Sequence, residues 1–520
     1  MWITIDDIQI QVEKGTTIMQ AAAKIGIPIP SLCHKEGYKN HPSCMVCLVK
    51  ETGSGRFLPS CAYPAEEGMI IQTFSSEISE IRRESLELLL SDHIGDCEAP
   101  CRLSCPAFMN IPLMNRLIAT GKFGEALSVV REEIAIPMVL GTICPAPCEK
   151  ACRRKPIDGA VSVCLLKRFT ASDPGRAHAG QMKDVIMNGK RVAVIGAGPA
   201  GLSAAFYLRR LGHHCVLFDK HEKPGGTLRY DIPRDKLPEA YLDQDIENIL
   251  ATGVELRTGI SIDEAMFRRE ILPEFDAAIL ATGRRDMNPV DSFLLEPDTS
   301  GFLINKRTLM TSHPGVFGCG SIVREETMAV RSSAQGKMAA IEVDIYLKTH
   351  KPKRIHYKFH SAISHLNDNE NEEYLKESIK LDRQEPLNGF LAGFRDEEAV
   401  MEAKRCLHCD CRKPVTCRLR QLSDEYRANR KRYIGPTRKS LTRNIQHDLV
   451  IYEPEKCIKC GLCVEITKKE GERIGLTYIG RGFDVHIGIP FRESMQDALY
   501  NKARECVEAC PTGALAFKVD

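Results

Sequence analysis

The stretch Arg191–Lys220, RVAVIGAGPAGLSAAFYLRRLGHHCVLFDK, constrains this chain most, because strand, turn, helix and second strand follow one another without spare residues. An apolar run, Val192–Ile195, ends in Gly196, Gly198 and Gly201, and a helical pattern begins at once with Leu202, Ala204 and Leu208. Glycines at such a turn let backbone approach a pyrophosphate held at a helix N-terminus. A second apolar run, Cys215–Phe218, ends in Asp219, at about the twenty-residue offset that suits ribose hydroxyls. A glycine triplet alone is a weak signal; strand, glycines, helix, strand and acid in that order identify a dinucleotide cradle. Pro199, Ala200 and Lys220 belong to the same expected contact surface.

Single cores stop growing beyond about 250–300 residues, so a chain of 520 residues implies three or more domains. Lys plus Arg number 71 and Asp plus Glu 69; the net charge of +2 gives no basis for nucleic acid or an anionic membrane as partner. No run approaches the roughly 18 apolar residues of a membrane span. The opening MWITIDDIQIQVEKG alternates apolar and polar residues, unlike a secretion signal. The expectation is a cytoplasmic protein. Its 22 cysteines are bunched at two- and three-residue gaps, which in a large chain without a secretion signal points to metal clusters instead of disulfides. Structural zinc is the rival, but zinc sites pair two distant CxxC-like hooks, whereas triple-cysteine runs ending in Cys-Pro are typical of iron-sulfur ligation.

In residues 1–75, Ile3, Ile5, Ile8 and Ile10 with polar neighbours predict two short strands, and Thr17–Ala23 a helix, a small β-grasp pattern. Cys33, Cys44, Cys47 and Cys61 follow with the spacing C-x10-C-x2-C-x13-C, enough to wrap a loop around a two-iron cluster and return a distant fourth ligand. The segment resembles the 2Fe-2S domain of the complex I large iron-sulfur subunit and of iron-only hydrogenases.

Residues 76–185 are read as a helical domain. Ile78, Ile81, Leu86, Leu89 and Leu90 mark an amphipathic helix leading to His93, Cys97, Cys101 and Cys105 in HIGDCEAPCRLSCP. Cys144, Cys148 and Cys152 follow in ICPAPCEKAC, then Cys164 in GAVSVCLLKRF. Together they supply two cluster sites. This part resembles the N-terminal domain of the glutamate synthase small subunit and of dihydropyrimidine dehydrogenase, where two Cys-rich runs hold two 4Fe-4S clusters. The resemblance implies that Cys105, Cys144 and Cys148 share one cluster and that Cys101 joins Cys152 in the other. Where those relatives carry an acidic or amide ligand, this chain has Lys167, and Cys164, three residues earlier on the same helical face, is the substitute ligand. His93 stands at the family's first cysteine, and HxxxC is similar to the histidine-ligated cluster of complex I.

Residues 186–350 are read as a Rossmann-like FAD domain resembling that of the glutamate synthase small subunit. The carriers are KPGGTLRYDIPRDKLP, ILATG and GVFGCGSIV. They imply flavin-side approach at Gly225, Gly226 and Thr227 and a nucleotide-side turn at Ala281, Thr282 and Gly283. Gly320 and Ser321 stand where the family has Gly-Asp, so the usual carboxylate toward the ribityl chain is missing. Only residues 284–314 separate ATG from GVFGCG. In the family that interval carries an NAD(P)H-binding domain, far longer than the roughly 30 residues of a fingerprint unit. The chain is therefore expected to bind FAD and to lack the NAD(P)H domain.

Residues 351–445 combine NDNENEEYLKESIKLDRQE, read as a solvated linker or exposed helix, with Cys406, Cys409, Cys411 and Cys417, a set able to enclose a further 4Fe-4S cluster or hold zinc. The basic run from Arg427 to Arg443 reads as a solvated face or docking surface, lacking interleaved aromatics beyond Tyr433. Residues 446–520 resemble a bacterial-type ferredoxin module, and IGRGFD is similar to ferredoxin domains of formate dehydrogenase and complex I relatives. Thr467, Tyr500 and Ala503 replace expected cysteines, and the survivors Cys457, Cys460, Cys463 and Cys510 form one set. Cys215, Cys319 and Cys506 are read as packing residues.

The expected architecture is multidomain α/β and α+β, with FAD, one 2Fe-2S and four 4Fe-4S clusters. The expected function is electron transfer within an oxidoreductase complex. The resemblance implies partner redox subunits of NADH-binding flavoprotein, hydrogenase or formate dehydrogenase type, or ferredoxin, and leaves an electron-bifurcating role open. The rival is a self-contained NAD(P)H-dependent flavoenzyme related to the glutamate synthase small subunit. No catalytic acid, base or nucleophile stands out.

Overall fold

The computed structural model describes residues 1–520 except 174, 176–184, 285–303, 306, 325–327, 352–358, 364, 436–437 and 519–520. Most of the interval 284–314, on which the expected lack of an NAD(P)H domain rests, lies outside the described residues. The chain divides into two units: Met1–Ala99, Tyr357–Glu377 and His408–Asp520 form the first, and Pro100–His356 with Ser378–Leu407 the second. The sequence-based boundaries at 75, 185, 350 and 445 are finer than this division.

In the first unit, alternation in Trp2–Ile5 buries Ile3 and Ile5, while the partner strand Ile8–Gln11 keeps Ile8 exposed. These strands join a five-stranded sheet in the order Ile8–Gln11, Trp2–Ile5, Ile70–Gln72, Leu48–Glu51, Phe57–Pro59. Across it lies the helix Ile18–Lys24, begun by a capping box in which Thr17 and Gln20 satisfy each other's backbone N–H groups. Near the C-terminal end, Val450–Tyr452 pairs antiparallel with Leu515–Phe517. Helices Leu462–Lys469 and Ala503–Ala509 pack beside this pair over Ile466, Met495, Leu499 and Cys506. The stretch read as a solvated linker contains the helix Asp368–Leu375, whose Glu370 and Tyr374 are buried. Arg438 ion-pairs with Glu370, offsetting the cost of taking that carboxylate out of water. The basic run is likewise internal stapling: Arg432 reaches Glu84 and Glu87, and Arg443 reaches Glu377 and Glu453.

The second unit is built on a five-stranded parallel sheet in the order Val316–Gly318, Ala277–Leu280, Arg191–Ile195, His214–Phe218, Glu255–Arg257. The central strands are apolar along their length, as strands covered on both faces must be. Helix Pro199–Arg210 crosses between the two middle strands and packs against Ala329–Thr349. That contact is close: Ser203 and Ser333 hydroxyls share a hydrogen bond of 2.7 Å, and a Cβ on Gly336 would collide with the Ala200 carbonyl. Helices Ile111–Ala119, Phe123–Glu133, Pro137–Ile143 and Val163–Ser172 share one apolar core with this fold. Cys215 and Cys319 are fully buried within it.

A buried ionic group ties the last segment of this unit to its cysteine-bearing loops. Arg405 and Glu402, both fully buried, pair at 2.8 Å. Arg405 also donates to the carbonyls of Asp158 and Gly159, each at 2.9 Å, while Glu402 accepts the Ser162 N–H at 2.7 Å. The clamp fixes the loop leading from Cys152 to Cys164 against the residue preceding Cys406. Removing one partner of such a pair leaves an uncompensated charge and costs about 3–5 kcal/mol. Arg405→Met is therefore expected to lower the unfolding midpoint of the second unit strongly; a change within about 0.5 kcal/mol, typical of an innocuous surface site, would contradict the clamp.

Candidate functional site

A cavity of about 730 Å³ opens beside the glycine-rich turn of the second unit. Such a volume suits a cofactor-sized ligand. Gly196, Gly198, Pro199 and Ala200 line it at the helix N-terminus, Asp219 and Lys220 at the end of the second strand, and Gly226 and Thr227 opposite. Ala281, Thr282, Gly283, Gly320 and Ser321 complete the expected lining. Gly201 and Gly225 do not face it. Gly201 instead turns toward the Gly196 carbonyl, with which any Cβ would collide, so it is needed for the turn itself. The Gly225 N–H closes the opposite wall by donating to the Ala197 carbonyl at 2.9 Å.

The Asp219 carboxylate is already engaged. It accepts the Ala197 N–H at 2.7 Å, the His221 N–H at 2.9 Å and contacts the His221 ring at 3.0 Å. With about four acceptor positions on a carboxylate, one braces the glycine turn and two hold His221, so little remains for a ribose. His221 stacks on Tyr230 at 4.4 Å, and both line the cavity. These two residues, with Gln335, which holds the Gly320 N–H at 2.8 Å, were not legible in the sequence. Cys144, read in the sequence as a cluster ligand, also borders this cavity with Pro145.

Cys144 belongs to a group of sulfurs around a buried cation. Lys167 is 3% exposed, and its ammonium lies 4.0 Å from the Cys164 sulfur. Burial works to lower its pKa, but the charges of Cys164, Cys144, Cys148 and Cys105 outweigh burial and raise it. Cys144 and Cys164 are within hydrogen-bonding reach, and the Cys164 N–H is held by Glu149 at 2.9 Å. All four thiols of the expected set therefore stand about one lysine. Cys101 and Cys152 pack against the same apolar core that buries Cys406.

In the first unit Cys33, Cys44, Cys47 and Cys61 are all buried, with the Cys33 and Cys44 sulfurs 3.4 Å apart. Hydrogen bonds from the Cys44 and Cys61 thiols hold Cys33 well below the ordinary thiol range, and the Cys61 thiol brings Cys47 down to about 7. Asn40 steadies the loop by donating to the Cys61 carbonyl at 2.6 Å. Cys457, Cys460, Cys463 and Cys510 form another group, in which the Lys459 N–H donates to the Cys457 sulfur at 3.3 Å. Cys506 stands beside Cys463, fully buried, so it is nearer this group than an isolated packing residue. The Thr467 hydroxyl caps the Cys463 and Val464 carbonyls.

The remaining residues are grouped differently from the sequence-based reading. His93 and Cys97 were expected with Cys101 and Cys152, and Cys411 and Cys417 with Cys406 and Cys409. Instead His93, Cys97, Cys411 and Cys417 line one small cavity in the first unit, because the chain re-enters that unit at His408. Burial, and next the charge of Lys456, hold the His93 imidazole down to about 4, so it is neutral at ordinary pH. Cys409 lies in the first unit and Cys406 in the second.

Residues 2–76 match the family model described as a 2Fe-2S iron-sulfur cluster binding domain. Residues 89–178 match dihydropyrimidine dehydrogenase domain II, a 4Fe-4S cluster domain, and 194–241 an NAD(P)-binding Rossmann-like domain. The chain is 35% identical over 209 residues to the NADPH-Fe(3+) oxidoreductase subunit beta of Geobacter sulfurreducens, a match covering 39% of this chain and 31% of that protein. It is also 35% identical over 209 residues to the NADP(+)-dependent formate dehydrogenase subunit beta of Moorella thermoacetica, covering 36% and 29%. The glutamate synthase [NADPH] small chain of Mycobacterium tuberculosis is 33% identical over 192 residues, covering 36% and 39%. The chain thus spans between 29% and 39% of the length of these relatives. It combines 2Fe-2S, 4Fe-4S and dinucleotide-binding domains of types shared with oxidoreductase subunits. Among the described residues, no helix is long and apolar enough to cross a membrane.

Net charge near a cluster sets its potential. Lys167→Met removes the buried positive charge while keeping length, and is expected to make the cluster implied for Cys105, Cys144, Cys148 and Cys164 harder to reduce. The drop is on the order of 60 mV, a tenfold step for a one-electron couple, read by redox titration followed by electron paramagnetic resonance. An unchanged potential would place Lys167 outside the electrostatics of that group.

Proposed function

We propose that this chain is an electron-transferring iron-sulfur flavoprotein subunit of an oxidoreductase complex, with FAD in the 730 Å³ cavity, one 2Fe-2S cluster and four 4Fe-4S clusters. When bound, the flavin supplies exchange between two-electron and one-electron carriers. The chain's own residues bind and orient it. The N-terminus of Pro199–Arg210 offers unpaired N–H groups and a positive helix end to a pyrophosphate, while Asp219 keeps the glycine turn in register beneath it. His221 and Tyr230, stacked on each other, wall one side of the cavity.

The observation that carries this reading is the place of Cys144. It lines the flavin cavity and at the same time belongs to the thiol group around Lys167, so a cluster held there borders the flavin directly. In the first unit, Cys33, Cys44, Cys417 and Cys460 share one apolar cluster, which supports a relay of neighbouring cluster sites shielded from water. The short interval 284–314 supports electron delivery by partner chains of NADH-binding flavoprotein, hydrogenase or formate dehydrogenase type, or by ferredoxin.

The match of residues 194–241 to an NAD(P)-binding model favours a second reading, direct use of a pyridine nucleotide by this chain. The two readings part under anaerobic mixing. Reduced ferredoxin or dithionite is expected to bleach the flavin band of the purified chain, while NADH and NADPH leave it oxidised over the same interval. Rapid bleaching by either nucleotide without a partner would establish the second reading.

A further inference from the structure

The flavin-bearing unit interrupts the first unit between two pairs of ligand-type residues. His93 and Cys97 lie just before the break at Ala99, and Cys411 and Cys417 just after the return at His408. All four line one small cavity, walled further by Lys456 and Gly513. We propose that His93, Cys97, Cys411 and Cys417 together hold a single 4Fe-4S cluster with one histidine ligand, and that the flavin-bearing unit is an insertion between its second and third ligands. This rests on the reading that the thiol groups of this chain bind iron-sulfur clusters.

Four contacts shape the cavity for that occupant. The Cys411 N–H donates to the Cys97 carbonyl at 3.4 Å, which joins the two ligand segments directly. His93 Nδ1 lies 3.0 Å from the Lys456 carbonyl. A carbonyl only accepts, so Nδ1 carries the proton and Nε2 keeps its lone pair, the tautomer fixed in metal-ligating histidines by a backbone carbonyl behind the ring. The Ser361 N–H donates to the Cys97 sulfur at 3.3 Å, a bond of the kind that tunes cluster thiolates. At Gly513 a Cβ would collide with the Cys411 sulfur, so that wall accepts only glycine while the thiol keeps its direction. Among the described residues, no three His, Cys, Asp or Glu side chains converge tightly enough for a single metal ion. The donors stand around a space instead of meeting at a point.

A negatively charged cluster in this place is balanced by protein charge. Lys456 lines the cavity and ion-pairs with Glu453. The carbonyl behind the His93 ring and a cationic side chain in the cavity wall that Cys411 shares thus come from one residue, Lys456.

The test uses the full-length chain, reconstituted with iron and sulfide and reduced for electron paramagnetic resonance, with histidine labelled by nitrogen-15. One reduced 4Fe-4S signal is expected to carry a histidine nitrogen coupling. His93→Cys is expected to abolish the coupling while leaving iron unchanged, and Cys411→Ser to remove the same signal with about four irons per chain. Cys101→Ser is expected to leave that signal in place. The proposal is overturned if the coupling survives His93→Cys, if Cys101→Ser instead of Cys411→Ser removes the signal, or if zinc occupies the Cys3His set, which suits that ion as well. Absence of iron and sulfide from the whole chain would overturn the broader cluster reading and this assignment with it.

Discussion

A lysine ammonium 3% exposed, as at Lys167, persists only beside compensating negative charge, because the loss of hydration is worth several kcal/mol. The compensation there comes from four sulfurs, Cys105, Cys144, Cys148 and Cys164, delivered by separate turns of the helical part of the second unit. The first unit repeats the device at Lys456, also 3% exposed, with Glu453 and Cys411 as its anions. Bare thiolates packed this closely repel one another; at Cys463 burial, and then the charges of Cys460 and Cys457, push the thiol up. A cluster that shares their charge removes the repulsion, and a buried lysine offsets what charge is left.

The dinucleotide fold contributes position more than reactivity. Its parallel strands end at one edge, where the turn at Gly196–Gly201, the Asp219 brace and the turn at Ala281–Gly283 converge. Ligands in open α/β sheets bind at that carboxyl edge. Helix Ala329–Thr349 packs closely on Pro199–Arg210 and itself borders the cavity through Ala329, Val330 and Ser332. The helical part then places Cys144 against the cavity, which makes the flavin site and one thiol group a single structural neighbourhood.

The local features of this chain were readable, and the non-local ones were not. Strand, glycine turn and helix from Arg191 to Arg210 follow from adjacent residues, as do the helix after Thr17 and the cysteine spacing from Cys33 to Cys61. Asp219 was legible as a functional acid, yet its bond to the Ala197 N–H arises only once the strands are side by side. The stretch around Glu370 looked like solvated linker because its charge is evident in sequence while the neutralising Arg438 is distant. The grouping of His93 with Cys411 was hidden for a related reason: ligand spacing is informative within a segment, and here a whole folded unit separates the segments.

The assignment of these thiols to iron rather than zinc, and of the cavity to flavin, meets its hardest trial in one stoichiometry. Iron, acid-labile sulfide, zinc and FAD can be quantified per chain on the intact protein purified without oxygen. One FAD and about 18 irons, the sum for one 2Fe-2S and four 4Fe-4S clusters, with matching sulfide and negligible zinc, is the expected result. Zinc in place of iron, or a chain that holds no flavin under those conditions, would contradict the electron-transfer reading.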